Sequence, residues 1–165
     1  MAAMNANAMS SANGTPAKSI EPTQPLPASG RPVTAQDPLR VLIVEDSRIV
    51  SERLVSMINS LNLNIRLTTA ADGPVAEQLF GSLHPDAVVL DIALPTANGF
   101  DLLVRFKSQQ PACVVIMLTT YAYPEFRENA KRLGAEFFFS KNMDFERVVD
   151  VLAAMAAGRP SLDMA

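Results

Sequence analysis

The chain has 165 residues, of which 48% are hydrophobic and 19% charged, and it carries a net charge of −3 with a pI near 5.1. That length and composition suit one domain with a packed core plus a tail, and the acidic balance, without any Lys/Arg run, argues against a protein built to grip nucleic acid. No stretch approaches the roughly 20 apolar residues of a membrane span or forms a secretory signal, and the single cysteine, Cys113, cannot make an internal disulfide.

Residues 1–38 are rich in Ala, Pro and Ser and hold Pro16, Pro22, Pro25, Pro27, Pro32 and Pro38. No strand or helix period runs through them, so they cannot bury enough apolar area to offset the entropy of ordering, and a disordered tail is expected. From Arg40 the texture changes. Val41-Leu42-Ile43-Val44 reads as a strand buried on both faces. Val50, Leu54, Met57, Ile58 and Leu61 follow at helical spacing. Asn64 to Thr69 is a more polar strand, suited to an edge, and Pro74 opens a helix carrying Val75, Leu79 and Phe80. Ala87-Val88-Val89-Leu90 is the third strand, and a helix with Leu102, Leu103 and Phe106 follows the Asn98-Gly99 turn.

Val114 to Leu118 is the fourth strand, and Cys113, just before it in the same apolar run, reads as a buried small hydrophobe suited to a reducing cytosol. Pro124 starts a helix that Gly134 ends, Ala135 to Phe139 is the fifth strand, and Phe145, Val148, Val149 and Leu152 line the last helix, stopped by Gly158 and Pro160. The expected organisation is a tail over 1–38, a domain over 39–158 and a short tail over 159–165. Five β-α units in alternation predict a parallel α/β sheet with helices on both faces and strand order 2-1-3-4-5, the flavodoxin-like doubly wound fold. In that fold the reactive crevice lies at the carboxyl ends of the strands. Polar residues gather there: Glu45-Asp46 after strand 1, Asp91 after strand 3, Thr119-Thr120 after strand 4 and Ser140-Lys141 after strand 5.

Three carboxylates in one crevice repel one another unless a cation joins them, and a hard oxygen set suits Mg²⁺. Asp46 and Asp91 are the expected direct ligands, Glu45 acts through water, and the backbone carbonyl of Ala93 adds a third protein ligand. Asp91, at the end of the most apolar strand and turned to solvent, is the candidate nucleophile for phosphorus, giving an acyl phosphate. Lys141 supplies a point charge and Thr119 a hydroxyl to phosphoryl oxygens. Each position alone has a plainer reading: Asp46 as N-cap of the first helix, Asp91 as a solvated strand end, Lys141 as a surface lysine, Thr119 as an ordinary strand residue. Their common placement on one edge favours the joint reading. His84, before Pro85 in a loop, has no acidic neighbour in sequence and reads as structural.

Val41-Leu42-Ile43-Val44-Glu45-Asp46-Ser47 resembles the first strand of receiver domains of two-component response regulators. Val88 to Gly99, with Pro95 and Gly99 four and eight residues after Asp91, resembles their phospho-acceptor segment; Ile116 to Thr120 and Phe137 to Lys141 are similar to their switch and lysine strands. The resemblance runs from Arg40 to Gly158. It implies that Asp91 takes a phosphoryl group from a sensor histidine kinase or a histidine phosphotransfer protein, with Mg²⁺ held by Glu45 and Asp46, while Thr119 and Lys141 contact the phosphoryl group. It implies a switch in which Thr119 moves toward the phosphate and Phe138 fills the vacated space, reshaping the face of helix 4, strand 5 and helix 5.

Asn142 departs from the cis-proline that often follows the lysine, so a trans bond is expected there. Ala93 and Tyr121 occupy positions that influence phosphoryl lifetime in the family. With seven residues after Gly158, the signal is expected to leave through a downstream protein, as in a stand-alone chemotaxis-regulator-like receiver, and Phe126, Phe137, Val151 and Met155 are candidates for its apolar patch, Phe137 reading better as core. The alternatives are a phosphatase of the Asp-nucleophile class, which wants an acid where Ala93 stands, and a receiver-like scaffold that is never phosphorylated. The protein is expected not to be a turnover enzyme.

Overall fold

The computed structural model describes residues 37–158. The disordered tail and short C-terminal tail expected from the sequence fall, apart from Asp37 and Pro38, outside the described residues. Strands and helices alternate along the chain: β1 (Leu39–Val44), α1 (Arg48–Asn59), β2 (Ile65–Ala70), α2 (Gly73–Leu83), β3 (Ala87–Leu90), α3 (Gly99–Gln109), β4 (Val114–Thr119), α4 (Pro124–Arg132), β5 (Phe137–Ser140) and α5 (Phe145–Ala156). The five strands pair in parallel in the order β2-β1-β3-β4-β5, the predicted doubly wound sheet.

The period-2 alternation of strand side chains sorts the core into two layers. Leu42, Val44, Val88, Leu90, Val115, Met117 and Phe138 point to one face, where Phe80 of α2 and Phe106 of α3 stack with ring centroids 4.1 Å apart. Val41, Ile43, Ala87, Val89, Ile116, Leu118, Phe137 and Phe139 point to the other, against Leu54 and Ile58 of α1 and Phe145, Val148 and Leu152 of α5. Burial on both faces is why β1, β3 and β4 are continuous apolar runs, while β2 at the edge carries Arg66, Thr68 and Thr69.

Two local readings are corrected. Ser47, not Asp46, is the N-cap of α1, its side chain accepting from the Val50 amide; Asp46 is left exposed and uncommitted to the helix. Ala135 lies in the turn between α4 and β5 and belongs to neither. Gly134 takes φ of +102°, the Gly134 amide donates to the Lys131 carbonyl and the Ala135 amide to the Ala130 carbonyl, a paired closure that needs a left-handed residue between helix and strand.

Candidate functional site

The ladder hydrogen bonds continue one step past the strand ends and carry the polar residues to a common level. The Glu45 amide donates to the Ala70 carbonyl, the Asp91 amide to the Val44 carbonyl, and the Lys141 amide to the Thr119 carbonyl. Carboxylate oxygens of Glu45, Asp46 and Asp91 thereby come within 4.8 Å of one another. Lys141 reaches across from β5: its Nζ lies 2.8 Å from Asp91 Oδ2 and 2.6 Å from Glu45 Oε2. Asp91 was expected to face solvent, but it is only 5% exposed, like Glu45, because Lys141 lies over both. Asp46 stands exposed at the mouth.

Burial raises the pKa of Glu45, opposed by its hydrogen bonds from Lys141 and from the Ser47 amide. Burial also disfavours the Lys141 ammonium, yet its bonds to Asp91 and Glu45 outweigh that and hold its pKa above the ordinary lysine value. One ammonium against three carboxylates leaves negative charge uncompensated in a partly enclosed pocket, and the hard oxygen donors suit a divalent cation of the Mg²⁺ type. The donor set therefore fits such an ion, with exposed Asp46 open to it and Ala93 exposed two residues past Asp91.

Thr119 is fully buried at the end of β4, its Oγ1 accepting from the Tyr121 amide at 3.2 Å. Phe138 is 1% exposed, already inside the layer under α4, with the Arg127 guanidinium 5.0 Å from its ring centroid and donating to the Phe138 carbonyl at 2.9 Å. The loop after Lys141 contains no cis bond. Ser140 and Asp144 hold it in place of a proline: the Ser140 amide donates to Asp144 Oδ2, the Asp144 amide to the Ser140 carbonyl, and the Asn142 amide to Ser140 Oγ. Of the expected output patch, Phe137 and Val151 are buried and Phe126 and Met155 half-buried, so Val151 is core and not surface.

Ser47, Arg127 and Asp144, which brace this edge, are not visible from composition or motif spacing. Ser47 could have been found by the preference of serine for N-caps; Arg127 and Asp144 act through tertiary contacts with β5 and carry no local signal. His84 is exposed at φ of +46°, closing α2 as its C-cap, and lies away from the acidic cluster in the loop before β3. Among the described residues no helix is long and apolar enough to cross a membrane.

The profile of the response regulator receiver domain matches residues 41–153. The probable transcriptional regulatory protein TcrX of Mycobacterium tuberculosis is 34% identical over 128 residues, covering 78% of this chain and 51% of that protein. Protein CcdB of Bacillus subtilis is 31% identical over 114 residues, covering 69% of this chain and 94% of its own length. A two-component response regulator of the LuxR family from Aurantimonas sp. SI85-9A1 superposes with a TM-score of 0.67 at 26% identity, over 77% of this chain and 91% of that one. The chain spans about half the length of several curated relatives that it matches, including the 51% of TcrX. By profile, by identity and by the order of its strands, the chain belongs to the receiver domain family of two-component response regulators.

Proposed function

We propose that the domain is a phosphorylation-controlled receiver in which Asp91 is the acceptor. The observation that carries this reading is the convergence of Glu45, Asp46 and Asp91 within 4.8 Å with the Lys141 ammonium on Asp91. An Asp91 carboxylate oxygen attacks phosphorus, the phosphorus–nitrogen bond of a phosphohistidine breaks with its electron pair staying on the imidazole, and an acyl phosphate forms. Glu45, Asp46, Asp91 and the Ala93 carbonyl would hold Mg²⁺, which offsets negative charge on the carboxylates and the phosphoryl group. Lys141 holds the acceptor carboxylate in place and stands ready to pair with a phosphoryl oxygen. Thr119 has a hydroxyl at the same strand-end level for a second oxygen.

The donor is a sensor histidine kinase or a histidine phosphotransfer protein, and the readout is a downstream protein on the α4–β5–α5 face, in the manner of a stand-alone receiver working in the cytoplasm. With Phe138 already inside, rearrangement around Thr119 would act on the Arg127 contact that covers the ring and not on a ring waiting outside. Ala93 offers no carboxyl at the place where an Asp-nucleophile phosphatase needs a general acid, which favours a transient acceptor over a turnover enzyme. Incubation with acetyl phosphate and Mg²⁺ tests the reading: the intact mass should rise by one phosphoryl group, and the gain should vanish in Asp91→Asn and with EDTA. Steady hydrolysis of unrelated phosphate esters, with no labelled protein, would overturn it.

A further inference from the structure

The first turn of α2 hands one of its amides to the acceptor loop. A helix leaves its first N–H groups without partners inside the helix. In α2, Pro74 has no N–H, Asp72 Oδ1 takes the Val75 amide at 2.9 Å, and the Asp72 carbonyl takes the Ala76 amide at 3.0 Å. The remaining donor, the Gly73 amide, bonds to Thr96 Oγ1 at 3.2 Å, 23 residues away in the segment between Asp91 and α3. The two segments meet closely there, since a Cβ on Gly73 would lie 2.4 Å from the Ala97 Cβ.

At its other end the same segment is closed by the Gly99 amide on the Ile92 carbonyl at 2.8 Å and by an antiparallel bridge between Ala93 and Asn98. It therefore has a closed base beside Asp91 and a tip tied to another helix. We propose that Thr96 is a positioning residue for the acceptor site: as a cap supplied to α2 from the loop, its hydroxyl fixes the short segment that carries Ala93 and so sets the affinity for the divalent cation. The inference rests on the receiver reading given above. It assigns to α2, which supplies none of the acidic residues, a share in cation binding.

The test uses the full chain and two readouts: the Mg²⁺ concentration at half-saturation, from amide chemical shifts of residues 91–99, and the rate of labelling by acetyl phosphate. Thr96→Val should raise the half-saturation concentration by roughly tenfold, the scale found when a group supporting a metal ligand is lost, and Thr96→Ser should restore it. Gly73→Ala should act in the same direction, and adding Ala97→Gly to it should recover the wild-type value by removing the carbon it strikes. Wild-type affinity and labelling in Thr96→Val, or a lowered melting temperature with unchanged Mg²⁺ response, would overturn the inference while leaving the acceptor role standing. No Mg²⁺ response in the wild type would overturn both.

Discussion

At the scale of single residues, the site balances burial against pairing. Glu45 sits nearly enclosed because its carboxylate has two partners, the Ser47 amide at 2.9 Å and the Lys141 ammonium at 2.6 Å. Desolvation still wins, and its pKa is raised above the ordinary glutamate value. A native carboxyl that holds its proton more tightly than the unfolded one contributes stability that is complete below the unfolded pKa, about 4.3. That contribution is lost as pH rises through the native value. Glu45→Gln should therefore flatten the fall in stability with pH over the window that opens near 4.3 and closes at the raised native value, read by urea denaturation without Mg²⁺. An unchanged slope would mean that Glu45 is ionised as easily in the fold as in water. Cys113 shows burial with only a weak partner: its Sγ donates to the Val114 carbonyl at 3.8 Å, and its enclosure pushes the thiol up to about 12, the behaviour of an inert core residue.

At the scale of elements, strand ends and the loops that follow them decide what the site can meet. Ile49 in the first turn of α1 is 79% exposed and Met143 in the β5–α5 loop 81% exposed, the two most exposed large apolar side chains among the described residues. Ile49 follows Asp46 by three positions and Met143 follows Lys141 by two, so both lie next to the acidic cluster in sequence. Under the proposed function, a protein that brings phosphohistidine to Asp91 would have to cover this mouth, and burying such side chains is worth about 1.5–3 kcal/mol each. Ile49→Gln with Met143→Gln should slow transfer from a phosphorylated histidine phosphotransfer protein by roughly tenfold or more, since 1.4 kcal/mol is a factor of ten. Labelling by acetyl phosphate should stay at the wild-type rate. Equal loss with both donors would place the defect in the chemistry instead of the docking.

The elements themselves were legible in the sequence because each strand but β2 is buried on both faces and so unmistakably apolar, and because Pro74, Pro124 and Gly134 punctuate the helices. What was not legible were choices between adjacent residues of equal propensity. Ser47 and Asp46 both cap well, and the Glu45 contact to the Ser47 amide helps decide for serine; Ala135 suits a strand, but the left-handed Gly134 places it in the turn that closes α4.

At the scale of the whole molecule, a parallel sheet with reversed connection at β1 and β3 gathers at one edge what the sequence scatters over nearly a hundred residues, from Glu45 to Lys141. That Glu45, Asp46, Asp91 and Lys141 come together could be read from the sequence because the strand order dictates where strand ends meet. The closeness of the Lys141 contact, the enclosure of Asp91 and the inward Phe138 depend on side-chain packing across three elements and had no signal in spacing. The central claim is that this edge makes Asp91 a covalent phosphoryl acceptor. The most direct measurement treats the chain with acetyl phosphate and Mg²⁺, reduces it with borohydride, and maps the peptides by mass spectrometry. The account predicts homoserine at position 91 and at no other carboxylate; label that resists borohydride, or that sits on Glu45, Asp46 or elsewhere while Asp91 stays intact, would contradict it.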